Sequence, residues 1–310
     1  MESETGKMPG RIASPFQSEL HCSIGIMAFN EEANIAKTIQ ALLDQRTTTC
    51  KIEEILVVAS GCTDNTEVIV SGFCERCPQV RLIMQARREG KAAAVNLFLA
   101  NAKTNILVLV GADTIPGPDS IQHMVEPFTD PDVGMTGGRP IPLNNPQTFM
   151  GFTVHLLWEL HHQIALRTPK MGELTAFRRI FQRIPDGSAV DEAAMEPLIS
   201  GQGYKLCYVP EAVVNNRGPQ TLKDFLKQRR RIYSGHLKMY QTLGYQVSTF
   251  SSTHILLALV HAWQWNWRFI LWTPAVIALE AYGRFLGWVD YKYKKQNHTV
   301  WERIDTTKVL

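Results

Sequence analysis

From residue 21 to about residue 128, short apolar runs alternate with stretches of helical period. Ser23 to Phe29 reads as a buried strand, and Ile35, Ile39, Leu42 and Leu43 then recur at i, i+4, i+7 and i+8, one face of a helix. The alternation repeats with strand Ile55 to Ala59 and helix Thr66 to Cys77, then strand Val80 to Met84 and the Ala-rich helix Lys91 to Ala102. A fourth strand, Ile106 to Val110, precedes a helix marked by Ile121, Met124, Val125 and Phe128. Four strand-helix units in succession predict right-handed crossovers and a mainly parallel sheet with helices on its faces.

The regularity breaks after Val133 to Gly138. A Pro- and Asn-rich loop, Arg139 to Pro146, leads into a long helix from Gln147 to Leu166, a further helix from Val190 to Ser200, and a hairpin or strand pair over Tyr204 to Asn216. Thr221 to Leu243 is amphipathic, with Leu222, Phe225, Leu226 and Tyr233 opposed to Lys223, Lys227, Arg229 and Arg230. A basic amphipathic helix suits a membrane surface. The pattern divides the chain into a tail (1–20), an α/β domain (21–220), an interfacial helix (221–245), a Trp-rich helical section (250–290) and a second tail (291–310).

In the Trp-rich section, five of the seven Trp residues (Trp263, Trp265, Trp267, Trp272, Trp288) fall within 26 positions. Trp favours the headgroup layer of a bilayer. The apolar runs Ile255 to Trp265 and Phe269 to Leu279 have 11 residues each, against the ~20 needed to span. Fusing them would bring Arg268 near mid-membrane, at a cost of about 2.5 to 3.5 kcal/mol. Two short helices in one leaflet, or a hairpin bent near Pro274, avoid that cost; an ordinary core helix pair is the soluble alternative. With Lys292, Lys294 and Lys295 just beyond, the section is expected on the cytoplasmic face of a membrane.

Composition narrows the class. With 310 residues, 45% of them hydrophobic, there is material for a sizeable core, and a net charge of +3 carries no argument for nucleic acid. The opening Met1-Glu2-Ser3-Glu4 lacks the basic flank and apolar run of a secretory signal. Six irregularly spaced cysteines are then expected as free thiols, and Cys74 with Cys77 lacks the second pair that a zinc site needs.

The candidate chemistry sits at strand ends, where open α/β sheets bind their ligands. The fourth strand delivers Gly111-Ala112-Asp113, one carboxylate suited to a hard cation beside a diphosphate, or else to a helix start. Further fragments are Met27-Ala28-Phe29-Asn30-Glu31-Glu32, Val57 through Thr66, Arg87 through Asn96, Gly172 through Arg179, Val190-Asp191-Glu192 lying 12 residues before Gly203-Tyr204, and Gln228-Arg229-Arg230-Arg231-Ile232.

In this order and spacing, over about residues 20 to 240, the fragments resemble the inverting family-2 glycosyltransferases of GT-A fold, in the membrane-bound branch that contains cellulose and hyaluronan synthases. The resemblance implies transfer of a sugar from a nucleotide donor, UDP-linked, to a hydroxyl of a lipid-linked or glycan acceptor, with Mg2+ or Mn2+. It implies that Ala28, Asn30, Glu31 and Ser60 receive the base and ribose, with Asp64 touching the nucleotide or capping the next helix. Lys91, at a helix start, attracts an anion. Asp113, with Ala112 beside it, holds the metal. Asp191 is the base that deprotonates the acceptor, Glu192 the alternative, while Gln228 and Arg231 close over the diphosphate. Glu173 faces the acceptor. His155, Glu159 and His162 share a helical face that binds metal, lines the acceptor cleft or is simply polar.

The chain departs from the family pattern at four positions. Ala59 and Ser60 replace two acids, Gly111 replaces the first acid of Asp-x-Asp, and Ile232 replaces a Trp. The first pair leaves nucleotide preference open, Gly111 predicts weak metal affinity without substrate, and Ile232 argues against processive polymerisation. With apolar material for one span at most, the chain is expected to transfer one or a few sugars. The competing readings are a polysaccharide synthase whose channel comes from a homo-oligomer or a partner subunit, a nucleotidyltransferase of similar topology, and a catalytically silent membrane adaptor.

Overall fold

Apolar, β-branched runs build the centre of the molecule. A computed structural model describes residues 19–185, 191–244, 252–294 and 307. In it, β1 (Leu20–Ala28), β2 (Cys50–Ser60), β3 (Val80–Gln85) and β4 (Ile106–Gly111) lie parallel in the order β3-β2-β1-β4. They are joined by α1 (Ile35–Leu43), α2 (Thr66–Arg76) and α3 (Lys91–Asn101). Successive residues of β2 serve opposite faces: Ile55 and Val57 pack with Ile35 and Ile39 of α1 and Phe73 of α2, while Leu56 and Val58 pack with Val95 and Phe98 of α3. Strands covered on both sides need unbroken apolar runs, which is why the sequence showed them plainly. Each such fully buried side chain is worth about 1.5 to 3 kcal/mol.

The second half of the sheet differs from a mainly parallel arrangement. After β4 come β5 (Thr114–Pro116), α4 (Ser120–Val125), a short 3-10 turn, β6 (Val133–Pro142), α5 (Phe149–Ala165), β7 (Leu174–Arg178), α6 (Asp191–Ser200) and β8 (Lys205–Asn216). The sheet has eight strands in the order β3-β2-β1-β4-β7-β6-β8-β5. Strand β7 is antiparallel to both β4 and β6, and β5 to β8, so the sheet is mixed. The 12-residue β8 replaces the expected hairpin: it runs parallel to β6 as one strand, and a register shift between Gly138 and Arg139 absorbs Pro210 to Ala212 as a bulge. Residues Arg139 to Pro142, read as loop, extend β6.

Among the described residues, three helices follow β8: α7 (Leu222–Leu243), α8 (Ser252–His261) and α9 (Trp267–Val289). Thr221 caps α7, its hydroxyl accepting from Asp224 N at 3.1 Å, and Gly244 ends it at φ +66. The two 11-residue apolar helices expected here are corrected to helices of 10 and 23 residues. Arg268 lies at the start of α9, next to the capping Asn266, and Pro274 is contained within the helix, which does not turn back there. Continuation past Leu279 has a physical cause: Glu280 and Arg284 interrupt the apolar run but face the protein, where Glu280 meets Arg229 of α7 at 3.4 Å and Arg284 at 2.9 Å. Gly283 and Gly287 bring α9 against α7 so closely that an added Cβ would lie 2.8 Å from Arg229 Cβ or Arg230 O. Among the described residues, α9 with its π-helical extension is the one helix long and apolar enough to cross a membrane.

Candidate active site

The carboxyl ends of β1, β2 and β4 open into a cavity of about 270 Å³. From the sheet it receives Ala28, Phe29, Glu31, Ser60 and the turn Gly111-Ala112-Asp113. That turn is pinned: Thr38 Oγ1 of α1 lies 3.0 Å from both Ala112 O and Thr114 O, and Thr114 Oγ1 donates to Gly111 O at 2.8 Å. The start of α3 adds Lys91, with Arg88 ahead of it, its guanidinium 3.6 Å from the centroid of the Phe29 ring. Burial lowers the pKa of Arg88. A helix start flanked by two cations attracts anions.

The opposite wall comes from the second half of the chain. Glu173 precedes β7, Glu192 stands in the first turn of α6, Asn216 ends β8 with Arg217 just after it, and Gln228 and Arg231 project from α7. Burial lowers the Arg231 pKa to about 10, against the opposing pull of Glu173, Glu192 and Asp113. Asp113 after β4, Glu173 before β7 and Glu192 of α6 thus line the same cavity as Arg231 of α7, and their charges act on its guanidinium. Ser60 Oγ and Asn216 Oδ1 are buried there without a hydrogen-bond partner among the described residues, which suits a polar ligand. Thr307 lines the same cavity.

The structure gathers Ala28, Glu31, Ser60, Lys91, Ala112, Asp113, Glu173, Gln228 and Arg231 in this cavity. It does not bring Asn30, Asp64 or His162 to its wall. Asn30, at φ +53, exchanges hydrogen bonds with Thr63 (3.0 and 2.8 Å), and Asp64 accepts from Glu32 N and Thr66 N (3.1 and 3.0 Å); both fasten the loop after β1 to the start of α2. His162 Nδ1 lies 2.9 Å from Tyr208 Oη. Asp191 opens α6, but its side chain is outside the described residues, as is Val190. His155 turns to Asn144 O at 2.9 Å and Glu159 to Gln163 at 2.8 Å; no group of three potential metal ligands occurs among the described residues, Cys74 and Cys77 included. Asn216, Arg217 and the stacking of Arg88 on Phe29 were not anticipated. The Asn-Arg-Gly-Pro run after β8 was the available signal for the first two.

A mixed sheet with its ligand cavity at the ends of the parallel strands is the GT-A architecture. The chain belongs to glycosyl transferase family 2, whose model matches residues 23–187, while that of glycosyl transferase family group 2 matches residues 106–289. It is related to polysaccharide synthases: it is 24% identical over 223 residues to a poly-beta-1,6-N-acetyl-D-glucosamine synthase of Staphylococcus aureus, covering 68% of this chain and 53% of that protein. The chain thus spans about half the length of that relative. A dolichyl-phosphate beta-glucosyltransferase of Trichomonas vaginalis is 30% identical over 112 residues, 34% of this chain and 33% of its own. Among solved structures, a mannosyltransferase from Pyrobaculum calidifontis in complex with GDP-Man and Mn2+ superposes with a TM-score of 0.63 at 20% identity, covering 94% of this chain and 92% of that one. Glucosyl-3-phosphoglycerate synthase from Mycobacterium tuberculosis, with Mg2+ and UDP, gives 0.51 at 17% identity over 74% of this chain and 81% of that one. At these identities the likeness shows the fold.

Proposed function

We propose that this protein is an inverting, metal-dependent hexosyltransferase that works on the cytoplasmic face of a membrane, moving a sugar from a UDP-linked donor to a hydroxyl of a lipid-linked or glycan acceptor. The observation that carries the reading is the gathering of Asp113, Glu173, Glu192 and Arg231 with the cationic start of α3 around one cavity at the strand ends. A nucleotide-sugar has matching parts. Strand-end backbone and Ser60 suit the base edge, with Glu31 accepting from the ribose. Lys91 and the α3 N-terminus suit the diphosphate, and Gln228 and Arg231 close over it with fork-shaped hydrogen bonds. Asn30 and Asp64 serve by holding the base-side loop.

Asp113 fits a divalent cation as a single hard carboxylate in a polar cavity, with phosphate and water supplying the other ligands. The chemistry such an ion supplies when bound is neutralisation of charge on the departing diphosphate. Asp191, at the start of α6, removes the acceptor proton, and Glu192 beside it is the alternative base. Glu173 orients the acceptor. The apolar outer face of α8 and α9, with Trp263, Trp265 and Trp267 exposed, favours a bilayer as its partner.

The test is a donor panel in detergent, with and without Mn2+, reading the released nucleoside diphosphate against a lipid extract. Release that needs the cation and disappears in Asp191→Asn with donor binding retained is the expected result. Release of pyrophosphate, or an unimpaired Asp191→Asn, overturns it. The likeness to the staphylococcal synthase supports a second reading, chain extension by an oligomer of this chain; product length separates the two.

A further inference from the structure

The cavity at the strand ends continues past Arg217. A second cavity of about 400 Å³ shares Gly172, Glu173, Glu192, Asn216, Arg217, Gln228 and Ile232 with the first, so these residues form a neck between the two. Beyond the neck the walls are mixed: α5, α7, α8 and α9 bring in Leu160, Ile164, Phe225, Leu259, Val276 and Ile277, beside Lys170 and the Arg229–Glu280–Arg284 ion pairs.

Two adjacent residues of the neck carry polar atoms left unpaired among the described residues. Asn216 is 5% exposed and its Oδ1 has no hydrogen-bond partner among the described residues; the same holds for the buried Nε of Arg217. No ion pair engages Arg217 among the described residues, whereas Arg231, which lines the first cavity but not the second, feels the charges of Glu173, Glu192 and Asp113. The pair is also held rigidly. Leu143 N donates to Asn216 O at 2.8 Å. Asn144 then clamps the following Gly218 twice, Oδ1 accepting from Gly218 N at 2.8 Å and Nδ2 donating to Gly218 O at 3.0 Å. Gly218 is pressed on α5, where an added Cβ would lie 2.5 Å from Val154. Buried polar atoms left open on a fixed backbone are arranged for a ligand.

We propose that Asn216 and Arg217 are the acceptor-recognition pair: Arg217 takes an anionic oxygen of the acceptor, Asn216 Oδ1 accepts from a neighbouring hydroxyl, and the acceptor's hydrocarbon part lies in the second cavity. The proposal rests on the sugar-transfer reading above. A guanidinium only donates, and its planar fork matches phosphate or carboxylate, while an unsatisfied amide oxygen requires a donor. The aliphatic and aromatic stretch of wall behind such a pair, with the charges of α9 and α7 already paired to one another, fits a phosphorylated lipid. A soluble phosphomonoester would satisfy the neck and leave the chamber empty.

The full chain in detergent is given its donor, Mn2+ and one of three probes: a polyprenyl phosphate, the same polyprenol without phosphate, or glycerol 3-phosphate. Binding of each probe is measured separately by intrinsic Trp fluorescence. The pair is supported if polyprenyl phosphate binds and stimulates nucleoside diphosphate release while polyprenol does not. Arg217→Gln should then raise the acceptor KM and Kd at least tenfold, with the donor KM moving less than twofold and Arg217→Lys recovering part of the loss. Equal action of glycerol 3-phosphate supports the pair with a soluble anion as ligand. Polyprenol acting as well as its phosphate, no binding of either phosphate, or an unchanged acceptor Kd in Arg217→Gln of unaltered melting temperature overturns it. Arg217-dependent binding without consumption of any donor overturns the sugar-transfer reading and leaves the pair standing.

Discussion

Helices α1 and α9 solve opposite problems on one chain. In α1, Ile35, Ile39 and Leu42 are buried against the sheet while Lys37 and Gln40 face outward, the arrangement water selects. In α9 the inward face carries Glu280, paired with Arg229 and Arg284, and at its end Asp290 accepts two hydrogen bonds from Arg230 at 2.8 Å. The outward face carries Ile270, Leu271, Ile277 and Phe285, each about half exposed or more. The inner face also buries Phe269 and Val276, so α9 is apolar on both sides with its charges tucked inward, and such an outer face favours a covering other than water. The difference teaches that the sheet half and the helical half fold against different surroundings, and that the cavity at their joint borrows from both.

The sharpest break between the halves is expected in the chemistry. Asp113 belongs to the sheet half, and Asp113→Asn removes a charge without changing shape. Turnover should fall about a thousandfold, the several kcal/mol that metal-borne charge stabilisation supplies, with the unfolding transition unmoved. Saturating Mn2+ should not restore it. A loss below tenfold would move the chemistry out of the sheet half.

Arg231 tests the joint itself, because from α7 it lines the same cavity as Asp113, Glu173 and Glu192. Arg231→Lys keeps the charge and loses the fork, so kcat/KM for the donor should drop about a hundredfold. If the lysine variant matches wild type, the residue acts as a point charge, and α7 contributes no geometry to the donor site.

How much of each half could be read beforehand follows the same division. Strands β1, β2 and β4 are covered on both faces, so their apolar runs announced them, and strand-end residues such as Ser60 and Asp113 came with the strands. Strand β7 has five residues, too few for a period to show, and Pro210-Glu211 imitates a turn until β6 is there to accept a bulge. Helix α9 was cut short at Leu279 because Glu280 looks like an end until Arg229 is seen opposite. Arg217 was invisible for a related reason. Its placement depends on Asn144 gripping Gly218 across 74 positions, a contact that only the finished fold creates.

The outer face of α9 gives a smaller effect. Leu271→Ser with Phe285→Ser should weaken co-sedimentation with anionic lipid vesicles at least tenfold, since two side chains losing about 1 kcal/mol each of apolar burial exceed the 1.4 kcal/mol that a factor of ten represents. Donor turnover in detergent should stay within twofold. Unchanged vesicle binding would mean that a protein surface covers this face, and a concentration-dependent oligomer lost in the same variant would identify it as a second copy.

The smallest expected effect lies in the buried acid of the sheet half. Glu54 of β2 has no exposed side-chain surface and meets Arg81, Ser23 Oγ at 2.9 Å and Lys103 N at 2.7 Å. Burial works to raise its pKa, but the hydrogen bonds from Arg81, Lys103 N and Ser23, with the Arg81 charge, outweigh it and hold the carboxyl below its ordinary value. A carboxyl with a lowered folded pKa contributes stability that is fully present above the unfolded value of about 4.3 and is lost as pH falls through the folded value. The urea midpoint of the wild type should therefore exceed that of Glu54→Gln at pH 7, and the gap should close as the pH is lowered below about 4. Parallel midpoint curves would show that Glu54 is held by packing alone, and the contrast between a charge-stabilised inner strand and the ion pairs under α9 would disappear.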